Sequence, residues 1–371
     1  MACPRDPVKI AVHRIADRFI VHTVGLLKRR PGAFRFVKKH LSNTLVHRIA
    51  QRARRNVDAQ AAAVAATPPG TPADGGHWDR TVAAVESREL KGWLDWEFIE
   101  VEHIRPQVSG DKSHDYLEYF LAKHLTRTPV ERALSLGCGG GNLERGLIWL
   151  KAASSIDAYD ASPESIRLAN ELAAKYDLSQ YLRYAVADIN RLELPAGAYD
   201  FAVAKMSLHH FEDLDHVYGQ VRRALKPGGV FMLNEFVGPT RFQWSELQLD
   251  LANRVLQALP RRLRRSAFSG EELSTIARPT VDEMIRMDPT EAVDSSQIIP
   301  LLSKHFEILE IRKYGGTLLH LVLNHVMANF DVTDEVQASL LRMIFLYEQT
   351  LVEQKVLESD FCYVVARPLP A

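Results

Sequence analysis

Residues 134–144 read LSLGCGGGNLE and place four glycines within five positions, directly after a short apolar run. A glycine costs roughly 0.5–1 kcal/mol of stability where a regular element could have continued. A chain that accepts this cost four times needs bare backbone at that point. Glycine-rich loops between a strand and a helix let a nucleotide-like ligand approach backbone N–H groups closely. The dinucleotide template G-x-G-x-x-G fits only in part, because Asn142 occupies the position of its third glycine.

The segments around this loop alternate between two hydrophobic patterns. Predicted strands lie at 133–137, 155–160, 182–188, 199–207 and 230–236; predicted helices lie at 142–153, 162–176 and 214–225, and KPGG at 226–229 forms a turn. Strands that alternate with helices of about 10–15 residues predict an α/β fold with a doubly wound, mostly parallel sheet. Ligands of such sheets bind at the carboxyl ends of the strands.

The overall composition is that of a globular protein. The chain has 371 residues, of which 46% are hydrophobic and 25% charged, and its formal net charge is zero. The length predicts about two domains, and the zero net charge provides no general attraction to nucleic acid. The three cysteines form no CxxC pair, and no apolar run of about 18 residues occurs. We therefore expect a cytoplasmic location without a membrane-spanning helix.

The zero net charge hides a strongly basic segment. Residues 1–55 contain 14 lysines and arginines but only two acidic residues, Asp6 and Asp17. Apolar residues at helical spacing predict a basic helical extension over 1–57, which packs on the acidic body or docks on a partner protein. Peripheral membrane binding and an organellar presequence are the alternatives. No stacking aromatics interleave the basic residues, which disfavours nucleic acid.

The rest of the chain divides by composition. Residues 58–77 are small, contain Pro and Gly and lack an apolar period, which predicts a flexible linker. Helical patterns then predict a helical cap over 78–130. Residues 131–371 are predicted to form the sheet domain.

Four motifs, in this order, resemble those of class I S-adenosylmethionine-dependent methyltransferases. They are GCGGG after LSL, YDASPESI with Asp160 at the end of the second strand, VADIN with Asp188 at the end of the third, and LKPGG before the fifth. The resemblance is specific over residues 131–237. It implies a Rossmann-like, seven-stranded sheet whose last antiparallel strand pair is 306–316 and 361–368. It also implies S-adenosylmethionine as cofactor and S-adenosylhomocysteine as product.

The resemblance further implies which residues hold the cofactor. Asp160 would accept hydrogen bonds from the ribose hydroxyls, and Asp188 would accept from the adenine amino group while Ile189 donates its backbone N–H. The simpler structural roles are a helix cap for Asp160 and a surface turn for Asp188. The Cys138 thiol is expected to pack rather than to act as a nucleophile. The other implied cofactor contacts come from the glycine loop and the strand ends: Gly137, Cys138, Gly139, Gly141, Ala161, Lys205 and Met206.

The segment KMSLHHFEDL at 205–214 follows the fourth strand, where the resembled family places substrate-facing residues. His209 titrates near neutrality and can take a proton from a hydroxyl during methyl transfer. Glu235 would orient His209 or hold the acceptor, and His210 is a further catalytic candidate. Helix capping is the structural alternative for both histidines. Neighbouring histidines on a loop should point apart, and no further ligands have a familiar spacing, so we expect no metal site.

Two long segments, 238–293 and 315–357, interrupt the strand pattern, and both have the apolar faces of packed helices. Such additions predict a lid over the acceptor or a homodimer surface. Candidate substrate residues, with helix packing as the alternative role, are Arg241, Phe242, Trp244, His320 and His325.

These patterns predict an enzyme that methylates an oxygen of a specialised metabolite, a sugar or glycan, or a peptide. Proximity alone is an alternative to base catalysis, because a sulfonium methyl is already activated. The competing hypothesis is a cofactor-binding but non-catalytic partner subunit or scaffold, docked through residues 1–57. An RNA methyltransferase is disfavoured, because KMSL at 205–208 stands in place of an NPPY-type loop.

Overall fold

A computed structural model describes residues 92–370. The predictions for 1–57, for 58–77 and for the first part of the helical cap lie outside these residues. The strands are β1 (Val130–Leu136), β2 (Ala153–Asp160), β3 (Leu182–Val186), β4 (Tyr199–Lys205), β5 (Leu225–Phe236), β6 (Phe306–Gly315) and β7 (Phe361–Pro368). They form one seven-stranded sheet in the order β3-β2-β1-β4-β5-β7-β6. Strand β7 runs antiparallel to both its neighbours, whereas β1 to β5 pair in parallel.

The first helix, α1, spans 97–108 and contains the π-helical segment Glu100–Ile104. The others are α2 (Tyr116–His124), α3 (Asn142–Trp149), α4 (Pro163–Lys175), α5 (Leu214–Ala224), α6 (Glu246–Ala258), α7 (Val281–Met287), α8 (Ile298–His305), α9 (Leu319–Val326) and α10 (Glu335–Glu353). Across residues 92–370, no helix is both long enough and apolar enough to cross a bilayer.

Helices cover both faces of the sheet. Phe201 of β4 lies in one buried cluster with Phe120 of α2 and Leu147 of α3. The next residue, Ala202, faces the opposite side and lies in a second cluster with Tyr218 of α5. Because successive residues of a strand point to opposite faces, burial on both sides shows a doubly wound sheet. The predicted fold class is confirmed.

Element bounds differ from the prediction where pairing or backbone geometry outweighs the local pattern. Strand β1 begins at Val130 rather than 133, because its pairing with β2 starts there. Helix α3 ends at Trp149, and Lys151 beyond it is left-handed with a φ of 57°. In the pairing of β5 with β4, Leu225 and Val230 have partners but residues 226–229 have none. These four residues correspond to the predicted turn.

The second insertion is anchored by the buried carboxylate of Glu348 on α10. Its Oε1 accepts the N–H of Gly316 at 2.7 Å, and its Oε2 accepts those of Leu318 and Leu319 at 2.5 and 2.8 Å. Burial raises the pKa of Glu348 to about 7, and the three N–H donors oppose that rise. These bonds fix the start of α9 against α10.

Gly315 lies so close to the Glu348 carboxylate that there is no room for a side chain. Its φ of 84° is left-handed, and a Cβ would lie 2.0 Å from Glu348 Oε1. We predict that Gly315→Ala lowers the free energy of unfolding by more than the roughly 1–2 kcal/mol of left-handed strain alone. Chemical denaturation measures the loss. Gly110→Ala is the matched control, since Gly110 has a φ of 79° and no atom lies within 4 Å of its Cβ position. Equal losses in the two variants would contradict a tight anchor.

Candidate active site

The glycine loop between β1 and α3 requires glycine for geometric reasons. Gly137, Gly139 and Gly141 have φ values of 65°, 50° and 75°, which other residues rarely adopt. A Cβ on Gly137 would lie 2.3 Å from the Ser207 Cβ, and one on Gly141 would lie 2.4 Å from the Tyr184 hydroxyl. A Cβ on Gly139 would meet no atom within 4 Å. The loop is therefore packed tightly at two glycines and borders open space at the third.

Asp160, at the end of β2, is hydrogen-bonded to this loop. Its Oδ2 accepts the N–H of Gly139 at 2.7 Å, and its Oδ1 accepts that of Ser162 at 2.9 Å. Burial raises the pKa of Asp160, whereas the N–H donors oppose that rise. The cap of α4 is Ser162, whose Oγ accepts the N–H of Ser165 at 3.0 Å. Asp160 therefore does not cap the helix, and its carboxylate is bonded to the half-buried backbone of Gly139.

Asp188 follows β3 at the same edge of the sheet. Its Oδ1 accepts the N–H of Asn190 at 3.0 Å, and its Oδ2 lies 3.5 Å from Arg191 Nε. The side chain is 55% exposed, and it caps the short turn that begins at Ile189. Asp188 thus caps this turn with Oδ1, and its exposed side chain lies at the end of β3, the strand that pairs with β2.

The Cys138 side chain is directed into the protein. It packs with Ala158 and Ile166, and burial raises the pKa of its thiol far above the ordinary value. A protonated, packed thiol offers no nucleophile. Only the backbone of Cys138 belongs to the surface of the glycine loop.

Lys205 is the last residue of β4, and Met206 follows it, next to the glycine loop. The Lys205 Nζ lies 5.4 Å from the centre of the Tyr116 ring. Met206 is left-handed, with a φ of 49°, and donates its N–H to the carbonyl of Asn234 at 2.9 Å. Strained backbone of this kind is common at functional sites. The chain therefore turns sharply after β4 and directs residues 207–210 across the rim of the sheet.

Glu144 on α3 is a buried residue near the loop that the sequence analysis missed. Its Oε1 accepts the Ser135 hydroxyl at 2.5 Å, and its Oε2 has no hydrogen-bond partner within the described residues. Burial raises the pKa of Glu144 to about 7. The sequence did carry a signal, because Ser135 is the polar residue of the otherwise apolar run ALSLG.

His209 and Glu235 are joined by a buried hydrogen bond. His209 lies in the 3-10 turn after β4, and Glu235 lies near the end of β5. His209 Nδ1 donates to Glu235 Oε2 at 2.8 Å, and Glu235 Oε1 accepts the N–H groups of Ser207 and Leu208 at 2.6 and 2.8 Å. Burial lowers the pKa of His209, but the charge of Glu235 and this hydrogen bond outweigh burial, so the pKa lies above its ordinary value of 6.5. Nε2 is left as the basic nitrogen.

His210 and the end of the first insertion approach the same ring. The ring centres of His209 and His210 lie 4.1 Å apart, so the expectation that these neighbours point apart is wrong. A 3-10 turn separates adjacent side chains by about 120°, less than the roughly 180° of extended backbone, so two large neighbouring rings can meet. His209 Nε2 lies 3.7 Å from Glu291 Oε1, and the N–H of Val293 donates to the His209 carbonyl at 3.0 Å. Glu291 is a second residue that the sequence analysis missed.

Aromatic rings flank the pair His209–Glu235. The Phe236 ring lies 6.1 Å from His209 and also 6.1 Å from His320. Phe242 and Trp244 of the first insertion stack 5.0 Å apart, and both contact His320. Burial lowers the pKa of His320 to about 4, so its ring is neutral near pH 7. We call this group the aromatic wall: Phe236, Phe242, Trp244, His320 and Phe361.

The other two predicted substrate residues have different surroundings. Arg241 donates its N–H to the carbonyl of Ala292 at 2.7 Å and its Nη1 to that of Glu291 at 3.1 Å. It therefore joins the two ends of the first insertion. His325 contacts Phe268, with ring centres 5.1 Å apart, inside the helical insertions.

A surface cleft of about 590 Å³ opens beside α6. Charged and polar side chains such as Glu246, Asp250 and Arg278 share its lining with apolar ones. Its lining includes no residue of the glycine loop, the pair His209–Glu235 or the aromatic wall. The cleft is therefore a feature of the first insertion.

Residues 134–233 match the family model of a methyltransferase domain. These residues hold the glycine loop, Asp160, Asp188 and His209, and they run from β1 into β5. Residues 134–233 form a class I S-adenosylmethionine-dependent methyltransferase domain. The family and the cofactor that the sequence predicted are confirmed.

Curated relatives of this methyltransferase domain match over about a third of the chain. A 27-O-demethylrifamycin SV methyltransferase of Amycolatopsis mediterranei is 32% identical over 119 residues, which are 32% of this chain and 43% of that protein. A sterol 24-C-methyltransferase of Gibberella zeae is 28% identical over 129 residues, 35% of this chain and 34% of that protein. The chain thus spans less than half the length of these relatives.

Among solved structures, the chain is similar to the geranyl diphosphate C-methyltransferase of Streptomyces coelicolor A3(2). The two are 14% identical, with a TM-score of 0.46, and the similarity covers 80% of this chain and 100% of the other.

The geometry of the methyltransferase domain fits its cofactor at the glycine loop. Gly139 offers backbone that faces open space, as a closely approaching ligand requires. The carboxylate of Asp160 lies next to it at the end of β2 and has the lone pairs to bind a diol.

We predict that Asp160→Ala weakens the binding of S-adenosylmethionine by about 1–3 kcal/mol, because bound hydroxyls lose a charged acceptor. Calorimetry with S-adenosylmethionine and S-adenosylhomocysteine measures the change. Asp160→Asn keeps an acceptor oxygen, so its affinity should be intermediate. Asp250→Ala, on the exposed side of α6, is the control for the loss of one negative charge. Unchanged affinity in Asp160→Ala would contradict the ribose assignment.

Proposed function

We propose that the chain transfers the methyl group of S-adenosylmethionine to a hydroxyl oxygen of an apolar, ring-containing small molecule, a specialised metabolite. The observation that supports this most directly is the buried pair His209–Glu235 at the carboxyl edge of the sheet, flanked by the aromatic wall. The pair supplies a base, and the wall supplies an apolar surface for the acceptor.

We assign the cofactor contacts to the rim of β1 to β4. Asp160 holds the ribose, and Asp188 with Ile189 holds the adenine. The methionine part lies along the loop and the end of β4, formed by Gly137, Cys138, Gly139, Gly141, Ala161, Lys205 and Met206. When bound, the cofactor supplies an electrophilic methyl group on a sulfonium sulfur.

His209 acts on the acceptor. Its Nε2 takes the proton of the hydroxyl as the oxygen attacks the methyl carbon. Glu235 accepts a hydrogen bond from Nδ1–H and thereby stabilises the imidazolium that results. The new C–O bond replaces the C–S bond, so S-adenosylhomocysteine leaves. Glu235 holds the imidazole, and His210 packs against it at 4.1 Å between ring centres.

The aromatic wall favours a small apolar acceptor over a glycan or a peptide. Phe242 stacks on the buried Trp244 with an interplanar angle of 9°, and the half-buried Phe242 ring is the part of this stack that we assign to a ring-containing acceptor. A neutral His320 beside them adds no charge for a polar acceptor. Two relatives are named for a rifamycin and for a sterol, which are both ring-containing small molecules, and this agrees with the proposed class of acceptor.

The competing hypothesis is a cofactor-binding subunit without catalysis. The convergence of His209, His210 and Glu235 on one rim weakens it, since a scaffold has no need of a buried base. Docking of residues 1–57 on a lipid surface or a partner protein stays a prediction from charge alone.

We predict that His209→Ala lowers the single-turnover rate of methyl transfer by about 10²–10⁴-fold, because the hydroxyl loses its general base. The affinity for S-adenosylmethionine should change little, since the imidazole faces the acceptor. His216→Ala, on α5, is the matched histidine control and should retain the parental rate. A parental rate in both His209→Ala and Glu235→Gln would contradict base catalysis and leave alignment of the acceptor as the mechanism.

We predict that kcat/KM of the parent rises with pH through an apparent pKa above 6.5, because only neutral His209 accepts a proton and its pKa is raised. Glu235→Gln removes the carboxylate charge but keeps the burial, so its acidic limb should move to lower pH, with a lower plateau. A pH–rate profile of the two proteins measures the shift. An unchanged limb would show that another group controls the profile.

The acceptor atom can be identified with labelled cofactor. The full chain, S-adenosylmethionine with a ¹³C methyl group and a panel of ring-bearing alcohols and phenols are incubated, and the product is analysed by NMR. The methyl carbon of an O–CH₃ group has a chemical shift distinct from that of C–CH₃. A methyl group on carbon would contradict O-methylation but not methyl transfer.

A further inference from the structure

Two histidines and a carboxylate converge at the mouth of the candidate site. One coordinating atom from each of His209, His210 and Glu291 can be chosen so that all three lie within 4.8 Å of one another. His209 Nε2 lies 3.7 Å from Glu291 Oε1. Two ligands of one zinc ion, each about 2.0–2.2 Å from the metal, lie about 3–3.5 Å apart. The three groups thus need small side-chain movements to share an ion.

The hydrogen bonds behind the two imidazoles match those of metal-binding histidines. His209 Nδ1 donates to the carboxylate of Glu235 at 2.8 Å. His210 Nδ1 lies 3.3 Å from the carbonyl oxygen of Thr290, which can only accept. Each bond places the proton on Nδ1 and the lone pair on Nε2. A carboxylate or a carbonyl behind the ring is the usual outer shell of a histidine ligand.

The charge around the three groups also favours a cation. The carboxylates of Glu235, Glu291 and Asp288 act on His209, and Arg241 is the cation that acts on Glu291. Asp288 is held in place by the N–H and the hydroxyl of Thr290, each at 2.8 Å from its Oδ1. The balance of formal charge at this rim is therefore negative.

We propose that His209, His210 and Glu291 form a binding site for a divalent transition-metal ion of the zinc class. Two imidazole nitrogens and one carboxylate oxygen suit Zn²⁺, Co²⁺ or Ni²⁺, whereas Mg²⁺ and Ca²⁺ prefer oxygen ligands alone. The proposed ligands come from two segments. Glu291 lies at the end of the first insertion, whereas the histidines lie in the turn after β4.

Metal binding and base catalysis use the same lone pair. An ion on His209 Nε2 leaves that nitrogen unable to accept a proton from the acceptor hydroxyl. Binding of the ion therefore inhibits methyl transfer. This inhibition rests on the proposed function, whereas the metal binding is independent of it.

Titration of the untagged full chain with Co²⁺, followed by its d–d absorption in the visible range, tests the site. We expect a tetrahedral or five-coordinate spectrum that Zn²⁺ displaces. His210→Ala and Glu291→Gln should weaken binding at least about tenfold, and Glu235→Gln should weaken it roughly 10–100-fold through the outer shell. His216→Ala is the matched control and should bind as the parent does. Circular dichroism of each variant checks its fold.

Absence of a cobalt spectrum in the parent, or the same spectrum and affinity in His210→Ala and Glu291→Gln, would overturn the site. The second readout is methyl transfer with and without Zn²⁺. We expect Zn²⁺ to inhibit the parent, a chelator to restore it, and Glu291→Gln to need at least about tenfold more Zn²⁺ for the same fractional inhibition. Full activity of the zinc-loaded parent would overturn the shared use of Nε2. Cobalt binding is measured without any acceptor, so this titration tests the metal site even where the proposed methyl transfer is not observed.

Discussion

The position of the candidate site depends on one buried carboxylate, that of Glu235. It is fully buried and accepts three hydrogen bonds, two from the backbone N–H groups of Ser207 and Leu208 and one from His209 Nδ1. A buried charge is tolerated only when such donors replace its water. The same group therefore fixes the turn after β4, sets the tautomer of His209 and raises its pKa. Removing any of these bonds would affect the other two.

A second buried carboxylate organises the other insertion by the same means. Glu348 accepts three N–H groups at the start of α9, and α9 carries His320 of the aromatic wall. The first insertion meets the turn after β4 at His209, through the N–H of Val293 and the side chain of Glu291. Glu348 holds the start of α9, directly after β6, and α9 carries His320. In the proposed function, the insertions shape the acceptor side, whereas the sheet and its loops form the cofactor side.

The parts of the structure that could be predicted are those in which the signal is local. The glycine loop was predictable because each left-handed glycine is visible in the sequence, and the strand–helix alternation fixed the sheet. The pairing of β6 with β7 required the resemblance to a family. Glu291 could not be predicted, because its approach to His209 depends on how residues 238–293 fold back. The relation of His209 to His210 was misjudged, because adjacent side chains are about 120° apart in a 3-10 turn, closer than in an extended loop.

The electrostatics of the rim suit the proposed reaction, in which the positive charge of the sulfonium ends on the imidazole of His209. Transfer from a sulfonium to an oxygen that gives up its proton ends with a neutral thioether and a neutral ether. A transition state that disperses charge gains from an apolar surrounding that excludes water. The aromatic wall provides such a surrounding, and burial keeps His320 neutral by lowering its pKa to about 4. A protonated His320 would repel the sulfonium. His209, whose pKa is raised, lies beside the Glu235 carboxylate, which in the proposed reaction stabilises the proton that His209 receives. The protein thus confines the charge that the reaction creates to His209 and Glu235, away from the aromatic surface.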